Sequence, residues 1–312
     1  MSKFKDLLAK KDVVVLDGAL ATQLEAMGLD ISGKLWSAKH IAQNPDAIKQ
    51  IHKNYLKAGS DIITTASYQA TIPGLMAAGF SEKEAYGLIL KTSLIAREAV
   101  DEFIRESGAT ETPLVAASIG PYGAYLSDGS EYRGDYNLSK SEFKAFHEPR
   151  IRAVLEGGAD MLAVETIPLL SEAEAICELL EQNFKDVPCW ISFTARDENE
   201  LASGDAITDV VKILESAPNV LAYGFNCISD TLASALLANL KNDGGTKPFI
   251  IYPNAGAVYD AKTQKWSEKP DESGLIKYIQ KWHELGARLI GGCCQTSPEF
   301  IRQLSEILKT KI

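Results

Sequence analysis

The chain has 312 residues, 46% of them hydrophobic and 24% charged, with a formal net charge of −10 at pH 7. That balance excludes a disordered chain, and the acidic excess with no basic stripe excludes nucleic acid as a partner. No apolar leader of signal type and no run of ~18 apolar residues occurs, so the expectation is a cytoplasmic protein with no membrane partner.

Taken in chain order, short β-branched runs alternate with amphipathic stretches of helical period, the pattern of repeated strand–helix units. "VVVLDG" from Val13 is the first strand candidate, and "DIITTAS" from Asp61 is the second. The long stretch "SEKEAYGLILKTSLIAREAVDEFIRES" then reads as a helix opening on a serine N-cap with an acid close behind. "LVAASIG" from Leu114 is the third strand, followed by a long loop from Gly120 to about Asn137 and the helical "SKSEFKAFHEPRIRAVLEGG". "MLAVET" from Met161 and "CWISFTA" from Cys189 flank the helical "SEAEAICELLEQNF". "LAYGFNC" from Leu221, "FIIYPN" from Phe249 and "RLIGGCC" from Arg288 complete the strands. The last two are followed by "ESGLIKYIQKWHELGA" and by "TSPEFIRQLSEILK", with Pro298 near its start.

Eight such units predict an α/β fold, a (β/α)8 TIM barrel, as a single domain over residues 1–312. An open doubly wound sheet is disfavoured because no "GxGxxG" follows the first strand. Barrel enzymes place their chemistry at the C-terminal ends of the strands. Those ends are Asp17, Ser67, Ser118, Glu165, Thr194, Asn226 with Cys227, Asn254, and Cys293 with Cys294. Oligomeric state is not legible, since no exposed apolar heptad or edge strand stands out.

Of the five cysteines, Cys177 on an apolar helical stripe and Cys189 at a strand start read as small buried hydrophobes. Cys227, Cys293 and Cys294 end strands six and eight, two positions apart around one mouth. Neighbouring residues of an extended strand face opposite ways, so Cys293 and Cys294 can share a ligand only where the backbone leaves strand geometry, a freedom Gly291 and Gly292 would supply. Three thiolates select a soft or borderline ion, zinc first among them, and three protein ligands with an open fourth position is the catalytic pattern. A vicinal disulfide and inert packing are the alternatives. The histidines, His40, His52, His147 and His283, show no ligand spacing and read as surface or capped helix residues.

The ordered segments "LDGALATQLEAMG", "ITTASYQAT", "SIGPYGAYLSDGSEYRGDY", "ETIP", "GFNC" and "GGCCQTSPEFI" resemble the homocysteine S-methyltransferase family from about Leu16 to Ile301. The segment after the third strand is most similar to the short stand-alone members that use S-methylmethionine, and often S-adenosylmethionine, as methyl donor. The resemblance implies a zinc-dependent enzyme making methionine from homocysteine and a sulfonium donor, with the metal on Cys227, Cys293 and Cys294. Asp17 and Glu165, otherwise a helix-cap aspartate and a solvated glutamate, then become catalytic-site acceptors for the homocysteine ammonium. Ser67, Ser118 and Asn226 complete the amino-acid pocket. Tyr122, with Tyr125, Tyr132 and Tyr136, offers faces to a sulfonium, Arg133 meets the donor carboxylate, and Trp36 walls the pocket. Trp190 and Trp282 read as packing. Two other classes compete with this enzyme: a barrel that only binds zinc or thiols, and a redox protein using Cys293 and Cys294.

Overall fold

In the computed structural model, which describes residues 2–256, 259–260, 265–266 and 271–311, eight parallel strands stand in chain order around a barrel. They are β1 (Val14–Val15), β2 (Ile62–Thr64), β3 (Leu114–Ile119), β4 (Met161–Ile167), β5 (Cys189–Phe193), β6 (Val220–Asn226), β7 (Phe249–Tyr252) and β8 (Ala287–Ile290). Ladders join every neighbouring pair from β2 round to β8 and on to β1. Residues of β3 and β4 are buried along their whole length, as a sheet covered on both faces demands. This is the expected (β/α)8 barrel.

The seam between β1 and β2 is closed differently. One backbone bond joins Asp61 N–H to the Val15 carbonyl at 2.7 Å, and two carboxylates do the rest. Asp61 accepts the Val15 N–H at 3.0 Å, and Asp17 accepts the Thr64 N–H at 2.7 Å. Asp17 is thus tied into the barrel wall as well as exposed to its mouth.

Two apolar layers hold the fold. Outside, one face of each strand packs on helices such as Pro45–Ala58, Glu82–Ser107 and Lys140–Glu156. The last two start where the serine signal places them, with complete capping boxes at Ser81 and Glu84 and at Ser139 and Glu142. Inside, Val14, Leu16, Ile62, Leu114, Met161, Trp190 and Leu289 fill the lower barrel. The N-terminal helix Lys3–Lys10 plugs the floor with Phe4, fully buried and 6.3 Å from the Trp190 ring. A Phe4→Ala chain should therefore lose about 3–5 kcal/mol of stability, read as a lower denaturant midpoint. Among the described residues, no helix is long and apolar enough to cross a membrane.

Two strands end earlier than their apolar runs suggest. β1 stops before Asp17 and β8 stops before Gly291, because the two chains close on each other there. A Cβ on Gly291 would lie 2.6 Å from the Leu16 Cβ and 2.9 Å from the Asp17 carbonyl oxygen.

Candidate active site

At the C-terminal mouth of the barrel a cavity of about 670 Å³ opens. Its wall includes Asp17, Trp36, Thr64, Tyr68, Ser118, Glu131, Tyr132, Glu165, Asn226, Tyr252 and the three cysteines that follow β6 and β8, Cys227, Cys293 and Cys294.

The sulfurs of Cys227, Cys293 and Cys294 lie within 4.8 Å of one another, those of Cys227 and Cys294 being 3.6 Å apart. The backbone achieves this in a way the sequence reading did not foresee. Gly291 and Gly292 have no left-handed φ; the turn is made by Cys227 and Gln295, at φ 56° and 68°. The glycines instead allow close approach: a Cβ on Gly292 would meet Thr296 Oγ1 at 2.4 Å. The end of β7 pins the turn, with Cys293 N–H donating to the Pro253 carbonyl at 2.9 Å and Cys294 N–H to Asn254 Oδ1 at 3.1 Å. Trp36, Ser127 and Thr166, all lining the cavity, also have positive φ. Conformations costing about 1–3 kcal/mol each thus gather at the mouth, as at functional sites generally.

Without a cation the cluster carries little negative charge. Hydrogen bonding from Cys293, then Cys294, holds the Cys227 thiol well below its usual range, and the same contacts push Cys293 and Cys294 up. One thiolate is stabilised at the expense of two thiols. A cation among them would remove that constraint, since a coordinated thiol deprotonates outright, so the donor set fits a metal ion. Tyr132 adds its hydroxyl 3.3 Å from the Cys227 sulfur, and the Asn226 amide reaches the Cys293 sulfur at 3.7 Å.

Across the cavity sit two buried carboxyl groups. Glu165 is held by the Ser118 hydroxyl and by Tyr252 Oη at 3.0 Å, and the tyrosine is braced in turn by Trp190 Nε1 at 3.1 Å. Asp17 accepts from the Thr64 amide and hydroxyl. Burial pushes Glu165 up to about 7 and Asp17 up to about 8. A carboxyl raised above its unfolded value contributes stability that is complete below about pH 4 and lost as pH rises through the folded value. The metal-free, ligand-free chain should therefore lose stability between pH 5 and 8, by roughly 1 kcal/mol per pH unit from Asp17. Urea denaturation should show that slope shrinking in Asp17→Asn.

Asn226 orders this wall. Its Oδ1 accepts the Thr166 N–H and its amide donates to Thr166 Oγ1, both at 2.8 Å, where the ladder from β4 to β5 slips between Val164 and Ile167. The bulge turns Glu165 toward the cavity.

Five of the residues named for the pocket from sequence, Ser67, Tyr122, Tyr125, Arg133 and Tyr136, lie outside the cavity wall. Ser67 is buried behind the wall, donating to the Ser118 carbonyl at 2.7 Å. Tyr122 is outside the cavity, because its ring is taken up by Tyr125, Tyr136 and Phe146 at 4.9–5.5 Å. Arg133 is half-exposed and paired with Asp135 at 2.8 Å, with Asp128 at 3.7 Å, so it does not reach a ligand in the cavity. Of the tyrosines after β3, Tyr132 alone lines the cavity. The histidine reading also changes: His40, His52 and His147 are buried. His147 accepts from the Arg150 guanidinium at 3.0 Å on Nδ1 and donates from Nε2 to Glu172 at 2.8 Å. Glu172 also takes the Tyr122 N–H and the Tyr136 hydroxyl, which anchors the segment carrying Glu131 and Tyr132. Tyr252, Thr64, Thr166 and Glu131 complete the wall without having been singled out as site residues.

The cavity wall has one further property. It includes five acids, Asp17, Glu25, Asp30, Glu131 and Glu165, but no lysine, arginine or histidine among the described residues. Asp30 is paired with Lys39 at 2.6 Å, and the buried Asp17, Glu131 and Glu165 suit a ligand that brings positive charge.

Comparison with known proteins agrees. The family model described as homocysteine S-methyltransferase matches residues 14–308. The homocysteine S-methyltransferase of Escherichia coli (strain K12) is 46% identical over 300 residues, covering 96% of this chain and 96% of that protein. Homocysteine S-methyltransferase YbgG of Bacillus subtilis (strain 168) is 44% identical over 308 residues, covering 98% and 97%. Crystal structures of the homocysteine methyltransferase MmuM from Escherichia coli are similar at 44% identity, with TM-scores of 0.89 for an oxidised form and 0.88 for a metallated form. They cover 97% of this chain and 98% and 99% of the relative. Matched over nearly its whole length, and carrying three converging cysteines as a place for a metal ion, the chain belongs to the homocysteine S-methyltransferase family.

Proposed function

We propose that the protein is a zinc-dependent methyltransferase that moves a methyl group from S-methylmethionine, or from S-adenosylmethionine, to homocysteine, giving methionine. The observation that carries this reading is the meeting of three cysteine sulfurs at the edge of a cavity whose charged side chains, among the described residues, are acidic. A tetrahedral site with zinc–sulfur bonds of ~2.3 Å needs sulfurs roughly 3.8 Å apart, close to the 3.6 Å between Cys227 and Cys294. Bound there, zinc would supply an open ligand position that keeps a substrate thiol deprotonated at neutral pH.

The chain's own residues do the rest. Asp17 and Glu165 take the homocysteine ammonium, whose charge removes the cost of burying them ionised. Ser118, Tyr252 and Thr64 hold those carboxylates in place. The thiolate lone pair forms the new carbon–sulfur bond while the methyl–sulfonium bond breaks, its electrons passing to the departing sulfide and the thiol proton going to solvent. Raising the thiolate from ~3% to nearly all is worth about 2 kcal/mol, whereas aligning two reactants can contribute about 7–11 kcal/mol. Walls that fix both sulfurs in line therefore account for most of the rate.

The test is methionine formation from homocysteine with each sulfonium, alongside elemental analysis of the purified protein. About one zinc per chain and faster turnover with S-methylmethionine are expected. Full activity in protein stripped of metal would overturn the reading.

A further inference from the structure

Of the carboxyl groups withdrawn into the cavity, Asp17 and Glu165 are hydrogen-bonded, but Oε2 of Glu131 is buried with no partner. Glu131 belongs to the short turn Ser130–Tyr132 that follows β3 and lines the same cavity as Tyr68, Tyr132 and Cys227. The nearest candidate counter-ion in sequence, Arg133, is committed to Asp135 and Asp128. Among the described residues, no cationic side chain lines the cavity. A buried carboxylate oxygen without a partner is costly, and a ligand that donates to it relieves that cost.

We propose that Glu131 binds the α-ammonium group of the methyl donor and so restricts the donor to sulfoniums that are amino acids. The assignment rests on the reaction proposed above. Two amino-acid substrates bring two ammonium groups: Asp17 and Glu165 serve the acceptor, and Glu131 remains for the donor. The sulfonium itself is the wrong partner. Its charge vanishes as the methyl leaves, so a carboxylate set against it would stabilise the ground state more than the transition state. The ammonium keeps its charge throughout, and a contact there strengthens donor binding without opposing transfer. A donor lacking the ammonium leaves Glu131 buried and unpaired, a form of rejection stronger than the loss of an apolar contact.

The experiment compares S-methylmethionine with 4-(dimethylsulfonio)butanoate, which keeps the sulfonium and carboxylate but has no ammonium. The wild-type chain should prefer S-methylmethionine, and Glu131→Gln should raise the KM for S-methylmethionine roughly tenfold to a hundredfold. Neither the homocysteine KM nor the rate with the desamino donor should move. Glu131→Asp, which keeps the charge, should recover part of the loss. Equal loss with both donors, or a raised homocysteine KM, overturns the assignment and makes Glu131 a shaper of the loop or a proton acceptor. Unchanged kinetics with both donors overturns it as well. A wild-type chain that transfers from neither sulfonium overturns the proposed reaction itself, a result distinct from any of these.

Discussion

Cys227→Ser should lower methionine formation by at least about a thousandfold and leave the protein with well under one equivalent of metal. A serine hydroxyl stays protonated at neutral pH and is no substitute for a thiolate, so the cluster would fall to two ligands on one side of the ion. Loss of thiol activation accounts for only about thirtyfold, on the ~3% thiolate present without a metal. The larger part is positional: a sulfur no longer held in line with the methyl carbon forfeits much of the ~7–11 kcal/mol that alignment supplies. Cys177→Ser is the control. That thiol lies on the outer helix Leu170–Asn183, and burial pushes it up to about 12, so its loss should leave turnover and metal content alone. A Cys227→Ser enzyme with a tenth of normal activity would contradict the assignment.

Glu165→Gln should reduce kcat/KM for homocysteine about tenfold to a hundredfold, mostly through KM. The glutamine can keep Ser118 and Tyr252 as hydrogen-bond partners, so the fold should persist while the charge facing the ammonium is lost. Hydrogen bonds to charged groups are worth about 1.5–3 kcal/mol, which sets the size of the effect. Asp17→Asn is the less clean experiment. Asp17 also closes the barrel seam by accepting the Thr64 N–H, and an amide can present its NH2 to that donor instead of an oxygen. Steady-state kinetics at saturating donor checks both variants, with a denaturation midpoint to separate the seam from the site. An unchanged homocysteine KM in Glu165→Gln would remove the carboxylate from the acceptor pocket.

The barrel was legible because its strands, buried on both faces, stand out as apolar runs between helical stretches, and because the serine caps at Ser81 and Ser139 are local signals. The cysteine trio was legible for a related reason, since strand order alone places β6 and β8 near each other. Residues whose role depends on a bend were not. Tyr252 looks like one more apolar position in "FIIY", yet β7 points its hydroxyl at Glu165. Thr166 is an ordinary strand threonine until the slip in the ladder gives it a φ of 60°. Among the tyrosines after β3, composition could not tell Tyr132 from Tyr122, because the difference is made by distant partners. Glu172 and Phe146 draw Tyr122 and Tyr136 away from the mouth, while the turn at Ser130–Tyr132 sends Tyr132 into it. His147 was misjudged on the same ground, since helix sequence does not reveal which face meets a neighbouring loop.

The acids that line the cavity bear on how the proposed reaction would end. On that reading, S-methylmethionine would arrive with a net charge of +1 at a wall that carries Asp17, Glu131 and Glu165. Once the methyl has moved, what is left of the donor is methionine, a neutral zwitterion, and the acceptor has become a second copy of the same molecule. Transfer would remove the sulfonium's share of the attraction and leave only the ammonium contacts, so spent donor would be held less tightly than fresh.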